Sequence, residues 1–136
     1  MGAAVEGGDG VVSVLGISRQ RDGLSFDQVD HLANANLVDH AARRGVRKFV
    51  YVSLWDPEAV AQLEIVRAHE KVVAMLAARR VPHTIVRPSG YFSDMGVLLD
   101  MARRGYSFVI GDGTNRLNPI HGAHVAVCCP DALRSS

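Results

Sequence analysis

Cysteine is scarce in this sequence, and its placement excludes more than its number does. The two cysteines, Cys128 and Cys129, are adjacent in a chain of 136 residues, so they give no basis for a disulfide framework. Charge of one sign is also missing in excess. The formal net charge is +1, which offers no general attraction to nucleic acid or to an anionic membrane. No apolar run reaches the length that spans a bilayer. The N-terminus, with Glu6, Asp9 and several glycines, does not read as a signal peptide, and a cytoplasmic protein is the expectation. No internal repeat or low-complexity tract occurs. One further absence is local: no glycine-rich loop stands between a first strand and a first helix. Such a loop is what carries a pyrophosphate to a helix N-terminus.

What is present is an ordinary globular composition, 48% hydrophobic and 21% charged, which excludes a disordered chain. Residues 1–136 read as one domain, large enough to bury roughly two-thirds of its unfolded surface. Gly10 to Gly16 is a short apolar run closed by glycine, the pattern of a strand buried on both faces. Ser25 and Gln28 fit a capping box, and Val29, Leu32, Ala33, Leu37, Val38 and Ala41 follow at helical spacing. Arg43, Arg44 and Gly45 close that helix. Val46 to Leu54 predicts a second strand. Asp56 and Pro57 supply an N-cap and first-turn proline for a helix with Leu63, Val66, Val73, Leu76 and Ala77 on one stripe.

A third strand is predicted at His83 to Arg87, stopped by Pro88. A helix from about Ser93 to Arg104, a short strand at Ser107–Ile110, a loop at Gly111–Gly113 and a last helix from about His121 follow. Strands alternating with helices at this spacing imply an α/β fold with a parallel sheet: three main strands plus the short one. The repeated Arg-Arg pairs at helix ends read as cations at the negative ends of helix dipoles, with phosphate contacts as the alternative.

In such a sheet, ligands bind beyond the carboxyl ends of the strands. Leu15, Gly16 and Ile17 follow the first strand, and Ser53, Leu54 and Trp55 the second. Pro88, Ser89, Gly90 and Tyr91 follow the third. Gly16 and Gly90 permit close backbone approach, and Ser53 and Tyr91 offer hydroxyls. Each glycine alone reads as a turn; three successive strand ends together point to a pocket. His121, His124 and Cys128 share a helical spacing that metal ligands use, but no fourth ligand accompanies them, and no metal is expected. Asp112 and Asn115 lack the spaced oxygens of a calcium loop.

Five segments then resemble a known family in order and spacing: Val12 to Arg19, Val29 to Ala42, Gly45 to Ser53, Thr84 to Phe92 and Asn118 to Ala123. Together they look like the middle of an atypical short-chain dehydrogenase/reductase of the NmrA-like, NAD(P)-binding group, which includes sugar-epimerase relatives. The resemblance runs from about residue 10 to 134. It implies a Rossmann-type doubly wound sheet. It also implies NAD or NADP as cofactor, an unknown small-molecule substrate, and a nicotinamide lying over Pro88–Tyr91. The cofactor contacts it implies are Leu15, Gly16, Ile17, Ser53, Pro88, Ser89, Gly90 and Tyr91.

The family places a βαβαβ half carrying GxxGxxG ahead of these motifs. Gly7, Gly8 and Gly10 do not imitate it, because they precede a strand and lead into no helix. The family's catalytic tyrosine and lysine stand four residues apart, with a serine nearby. Here Lys71 has Arg67 at that distance, His69 fills a position where relatives often carry lysine, and Asp30 replaces an asparagine. Ser53, His69 and Lys71 are the catalytic candidates; the plainer reading puts His69 on the solvent side of its helix. The expectation is a truncated oxidoreductase or epimerase-like protein with weak or no activity alone. The alternatives are a dinucleotide-sensing module and a degenerate fragment. The Val11–Leu15 strand would form an unguarded sheet edge, open to pairing with a second copy.

Overall fold

Alternation along a single strand decides the architecture. Side chains on successive strand residues point to opposite faces, yet Phe49, Val50, Tyr51 and Val52 are all buried. The strand is therefore covered on both sides.

The structure, a computed structural model, describes residues 9–17, 23–107, 112–114 and 118–135. Its elements are β1 (Gly10–Ser13), a π-helical segment Asp27–Ala33 continuing into α1 (Asn34–Arg44), β2 (Lys48–Val52), α2 (Glu64–Ala78), β3 (His83–Val86), α3 (Phe92–Arg103) and α4 (Gly122–Arg134). The sheet order is β1-β2-β3. Both pairings are parallel, with Val12 opposite Val50 and Tyr51 opposite Ile85.

Phe49 and Tyr51 pack with Val38, Ala41, Val72 and Leu76, so α1 and α2 cover one face. Val50 and Val52 pack with Val125 and Cys129 of α4 on the other. This is the α/β, partial Rossmann-like arrangement that the strand–helix alternation predicts. The additional short strand expected at Ser107–Ile110 falls mostly on residues outside those described. Gly7 and Gly8 also lie outside them.

Several local signals act as read. Ser25 Oγ accepts the Gln28 N–H at 3.2 Å and Gln28 Oε1 accepts the Ser25 N–H at 2.9 Å, completing the capping box. Gly45 ends α1 with φ 61°, the left-handed cap that glycine adopts without a Cβ penalty.

Two expectations need correction. The first concerns the apolar stripe ahead of α1. The buried residues are Asp30, Asn34, Val38 and Ala41, while Leu32 is 48% exposed. These four keep the spacing of an ordinary helical face, so the buried stripe passes through two polar residues and beside the apolar Leu32. The second concerns the start of α2. Asp56 turns left-handed, with φ 44°, and its carboxylate accepts the Ala59 N–H at 3.4 Å. It caps a turn, and α2 begins only at Glu64, leaving Leu63 exposed.

Among the described residues β1 ends the strand order. Val12 is 40% exposed and Val14, just beyond the strand, 68%, which also corrects the reading of this run as a strand buried on both faces: no helix fully covers that side. α3 contributes no buried residue, so the two clusters that meet on β2 carry the fold. Phe49→Ala is expected to cost about 3–5 kcal/mol, the usual loss for truncating a fully buried aromatic. Urea denaturation monitored by circular dichroism will measure this; a loss below about 1 kcal/mol would show that the core is organised elsewhere.

Candidate functional site

Polar groups cluster where the strands end, and they form two separate networks. The first starts on β2. Tyr51, fully buried, points its hydroxyl at His69 Nδ1, 2.9 Å away. His69 Nε2 meets Asp30 Oδ1 at 3.1 Å. Asp30 in turn accepts the Ile17 N–H at 3.3 and 3.4 Å. With Asp30 ionised, the carboxylate only accepts. His69 then carries its proton on Nε2, and its Nδ1 accepts from Tyr51.

Burial pushes the Asp30 carboxyl up and the His69 imidazole down, because charge is disfavoured away from water. Burial, together with the Asp30 and Glu70 carboxylates, also pushes the Tyr51 phenol up. His69 is thus 6% exposed, contrary to its placement on the solvent side of α2. The reason is that α2 turns Val66, Ala68, His69, Val72 and Leu76 inward, and Asp30 and Tyr51 satisfy the imidazole there.

Beside this chain, Asn34 Nδ2 donates to Leu15 O at 3.0 Å and to Asp30 O at 2.9 Å, and the Ser13 hydroxyl donates to Asn34 Oδ1. Leu15 and Ile17 are therefore held by two side chains of the helical stretch that follows them, Asn34 of α1 and Asp30 of the π segment. Gly16 has its own reason: a Cβ there would stand 2.7 Å from Asp30 Oδ1. The close approach that glycine permits is to this carboxylate. Sequence reasoning missed Asn34. Its signal was its spacing, four residues after Asp30 and four before Val38, which puts two polar residues on the buried stripe.

The second network lies at the ends of β2 and β3. Arg87 pairs with both Glu70 oxygens, at 2.7 and 3.1 Å, and donates to Leu54 O at 2.8 Å. Ser53, 2% exposed, sits within this fork, 3.4 Å from Arg87 and 3.5 Å from Glu70. Such bidentate pairs fix geometry as well as charge. Lys71 joins neither network. It is 54% exposed and bonds Asp27 at 2.6 Å, which holds that carboxyl below its usual range.

The loop after β3 is tied to the segment ahead of α4. Ser89 Oγ donates to Asn118 O at 2.6 Å, Ile120 N to Gly90 O at 2.9 Å, and Phe92 N to Ile120 O at 3.2 Å. Between them opens a cleft of about 560 Å³ lined by Trp55, Arg87, Pro88, Ser89, Asn118, Pro119 and Ile120, within the size range of small-ligand sites. Tyr91 lines a different cavity of about 470 Å³, beside Val12, Val14, Val125 and Cys129.

The expected cofactor set is thus divided. Pro88 and Ser89 share the larger cleft, Tyr91 faces the β1 side, and Leu15, Gly16 and Ile17 line neither cavity. Of the residues weighed as metal ligands, Asn115 lies outside the described residues. His121 caps α4 by accepting the Ala123 N–H, and Asp112 is engaged by Thr114. Among the described residues no group of three His, Cys, Asp or Glu is placed to hold a metal, and no helix is long and apolar enough to cross a membrane.

A sequence family described as NAD(P)H-binding matches residues 1–136. No curated protein matches the chain. Among solved structures, a Bacillus halodurans protein assigned as an NAD-dependent epimerase/dehydratase is similar in fold. It has 24% identity and a TM-score of 0.57, over 66% of this chain and 44% of that one. The chain therefore spans less than half the length of that relative.

The buried histidine makes stability depend on pH. His69 has an ordinary value of 6.5 that is lowered in the fold. Below 6.5 the unfolded chain takes up a proton that the folded chain refuses. Stability is therefore full above pH 6.5 and is lost as pH falls through the lowered value. Asp30, raised from 3.8, opposes this: its contribution is full below 3.8 and is lost as pH rises through the raised value. Urea midpoints from pH 7.5 down to 5.5 are expected to fall in the parent and to fall less in His69→Gln. Parallel profiles would remove His69 as the cause.

Proposed function

The chain belongs to the NAD(P)H-binding family, and on that premise we propose that it forms the nicotinamide side of a dinucleotide site. The parent activity in this reading is that of an oxidoreductase or epimerase-like protein of the atypical short-chain dehydrogenase, NmrA-like group. The observation that carries it is the cleft between the loop after β3 and the Asn118–Ile120 segment, at the carboxyl end of a parallel sheet. In this reading the nicotinamide of NAD or NADP lies against Pro88 and Ser89 of the Pro88–Tyr91 loop. Tyr91, which lines the cavity beside β1, and Leu15–Ile17, which line neither cavity, meet other parts of the dinucleotide. A small-molecule substrate enters from the Trp55 side. No strand–GxxGxxG–helix unit occurs in these 136 residues, so binding by them alone is weak.

A second reading, a module that binds or senses the dinucleotide without turning it over, is favoured by how the catalytic candidates are occupied. Ser53 lies inside the Arg87–Glu70 fork. Both ring nitrogens of His69 are engaged, and Lys71 is bound to Asp27. General acid–base work needs a group within reach of the reacting atom. In the oxidoreductase reading Ser53 connects to the cleft through Arg87, which lines it.

Titration of NADPH and NADH into isotopically labelled protein tests the dinucleotide site. The amide resonances of Ser89, Gly90 and Tyr91 are expected to shift, with weak affinity. Shifts absent from these residues at every concentration would sink the reading.

The edge of β1 supports a further element of the proposal, pairing with a second copy. Among the described residues β1 ends the strand order, and an unguarded edge is a template for another strand. Sedimentation is expected to show self-association. A monodisperse monomer with a high melting temperature would remove it.

A further inference from the structure

The large cleft has an aromatic wall on the side where the dinucleotide reading places an unspecified substrate. Trp55, the one tryptophan in the chain, lines it and is 63% exposed. Its position is fixed from both sides. Before it, Leu54 O accepts a hydrogen bond from Arg87 at 2.8 Å. After it, Asp56 turns into the left-handed region at φ 44°, a conformation that aspartate tolerates better than most residues but that still carries strain. The backbone is thus pinned and then sharply turned, which leaves the indole standing at the cleft.

Other lining residues set the chemistry of what lies against that ring. Pro88, Pro119 and Ile120 are apolar. The one charged side chain lining the cleft among the described residues is Arg87, and both Glu70 oxygens already neutralise it. Asn118 supplies a carboxamide, with a donor and an acceptor. An indole, two prolines and an isoleucine favour a flat apolar ring. The paired arginine offers a charged ligand no compensation for its lost hydration.

We infer that the outer part of this cleft takes an uncharged, planar aromatic compound bearing a hydrogen-bond acceptor, stacked on Trp55 with its polar substituent toward Asn118. The inference rests on the proposed dinucleotide reading, since the ring occupies the substrate position beside Pro88–Tyr91.

A single tryptophan gives a single indole N–H cross-peak, so nitrogen–proton correlation spectra report directly on this residue. 2-Acetonaphthone is the probe; cyclohexyl methyl ketone tests planarity, and 2-naphthoate tests charge. The naphthyl ketone is expected to move the indole cross-peak saturably, and both comparison compounds to bind at least several-fold more weakly. Trp55→Leu, at an exposed position, keeps the dispersed spectrum of the fold. It is expected to weaken naphthyl ketone binding roughly three- to tenfold, the range of an aromatic stacking contact, as read from the Ser89 and Gly90 amides.

Equal binding of the cyclohexyl ketone, equal binding of the naphthoate, or unchanged affinity in Trp55→Leu overturns the inference. NADPH added to the same sample separates the two claims. If NADPH shifts Ser89–Tyr91 while the naphthyl ketone leaves the indole unmoved, the dinucleotide reading stands and this one falls. If the ketone binds and NADPH does not, the aromatic ligand class stands and the dinucleotide reading falls.

Discussion

Everything in this chain hangs on the burial of β2 from both sides. Four consecutive residues, Phe49 to Val52, are withdrawn from water, and they alternate between two cores. Phe49 and Tyr51 anchor α1 and α2, while Val50 and Val52 anchor α4. A strand buried on both faces must also pair at both edges to satisfy its backbone. β1 and β3 do that in parallel register. Parallel pairing then brings all three carboxyl ends to one side, and the candidate site is built there.

The same strand sends two polar chains outward. Tyr51 is large enough to cross the α1–α2 core and reach His69, and through it Asp30 and the Ile17 amide. Ser53, just past the strand end, meets the Arg87–Glu70 fork that closes on Leu54 O. Both chains end on backbone that borders the site, and neither leaves a buried side-chain polar atom unpartnered among the described residues. Such paired networks fix the loops in place, whereas an unpaired buried group would cost stability. This accounts for how ionisable groups can sit under the strand ends without being presented to a ligand.

Much of this was legible in the residues. The Lys48–Val52 strand announces itself by β-branched and aromatic side chains, and the Ser25–Gln28 box and Gly45 mark helix ends by local bonding alone. The burial of His69 was not legible. On a helix read by its apolar residues, a histidine falls naturally to the water side. Only Asp30 and Tyr51, 39 and 18 residues away along the chain, make burial affordable by bonding both ring nitrogens. Asp30 and Asn34 escaped notice in a similar way: they keep helical spacing with Val38 and Ala41, but a buried stripe is read from its apolar residues and these two are polar. Of the candidate cofactor residues, Pro88 and Ser89 lie in the large cleft, while Tyr91 turns toward β1.

By itself the sequence determined the order of strands and helices, the parallel α/β class and which residues follow the three strand ends. Those features follow from short-range periodicity, caps and turns, which the chain carries locally. Only the tertiary structure decided that Gly16 makes room for a carboxylate, that Lys71 stands outside the site on Asp27, and that Trp55 walls the cleft. Each of these is a meeting of residues distant in sequence, and packing against β2 is what sets those meetings.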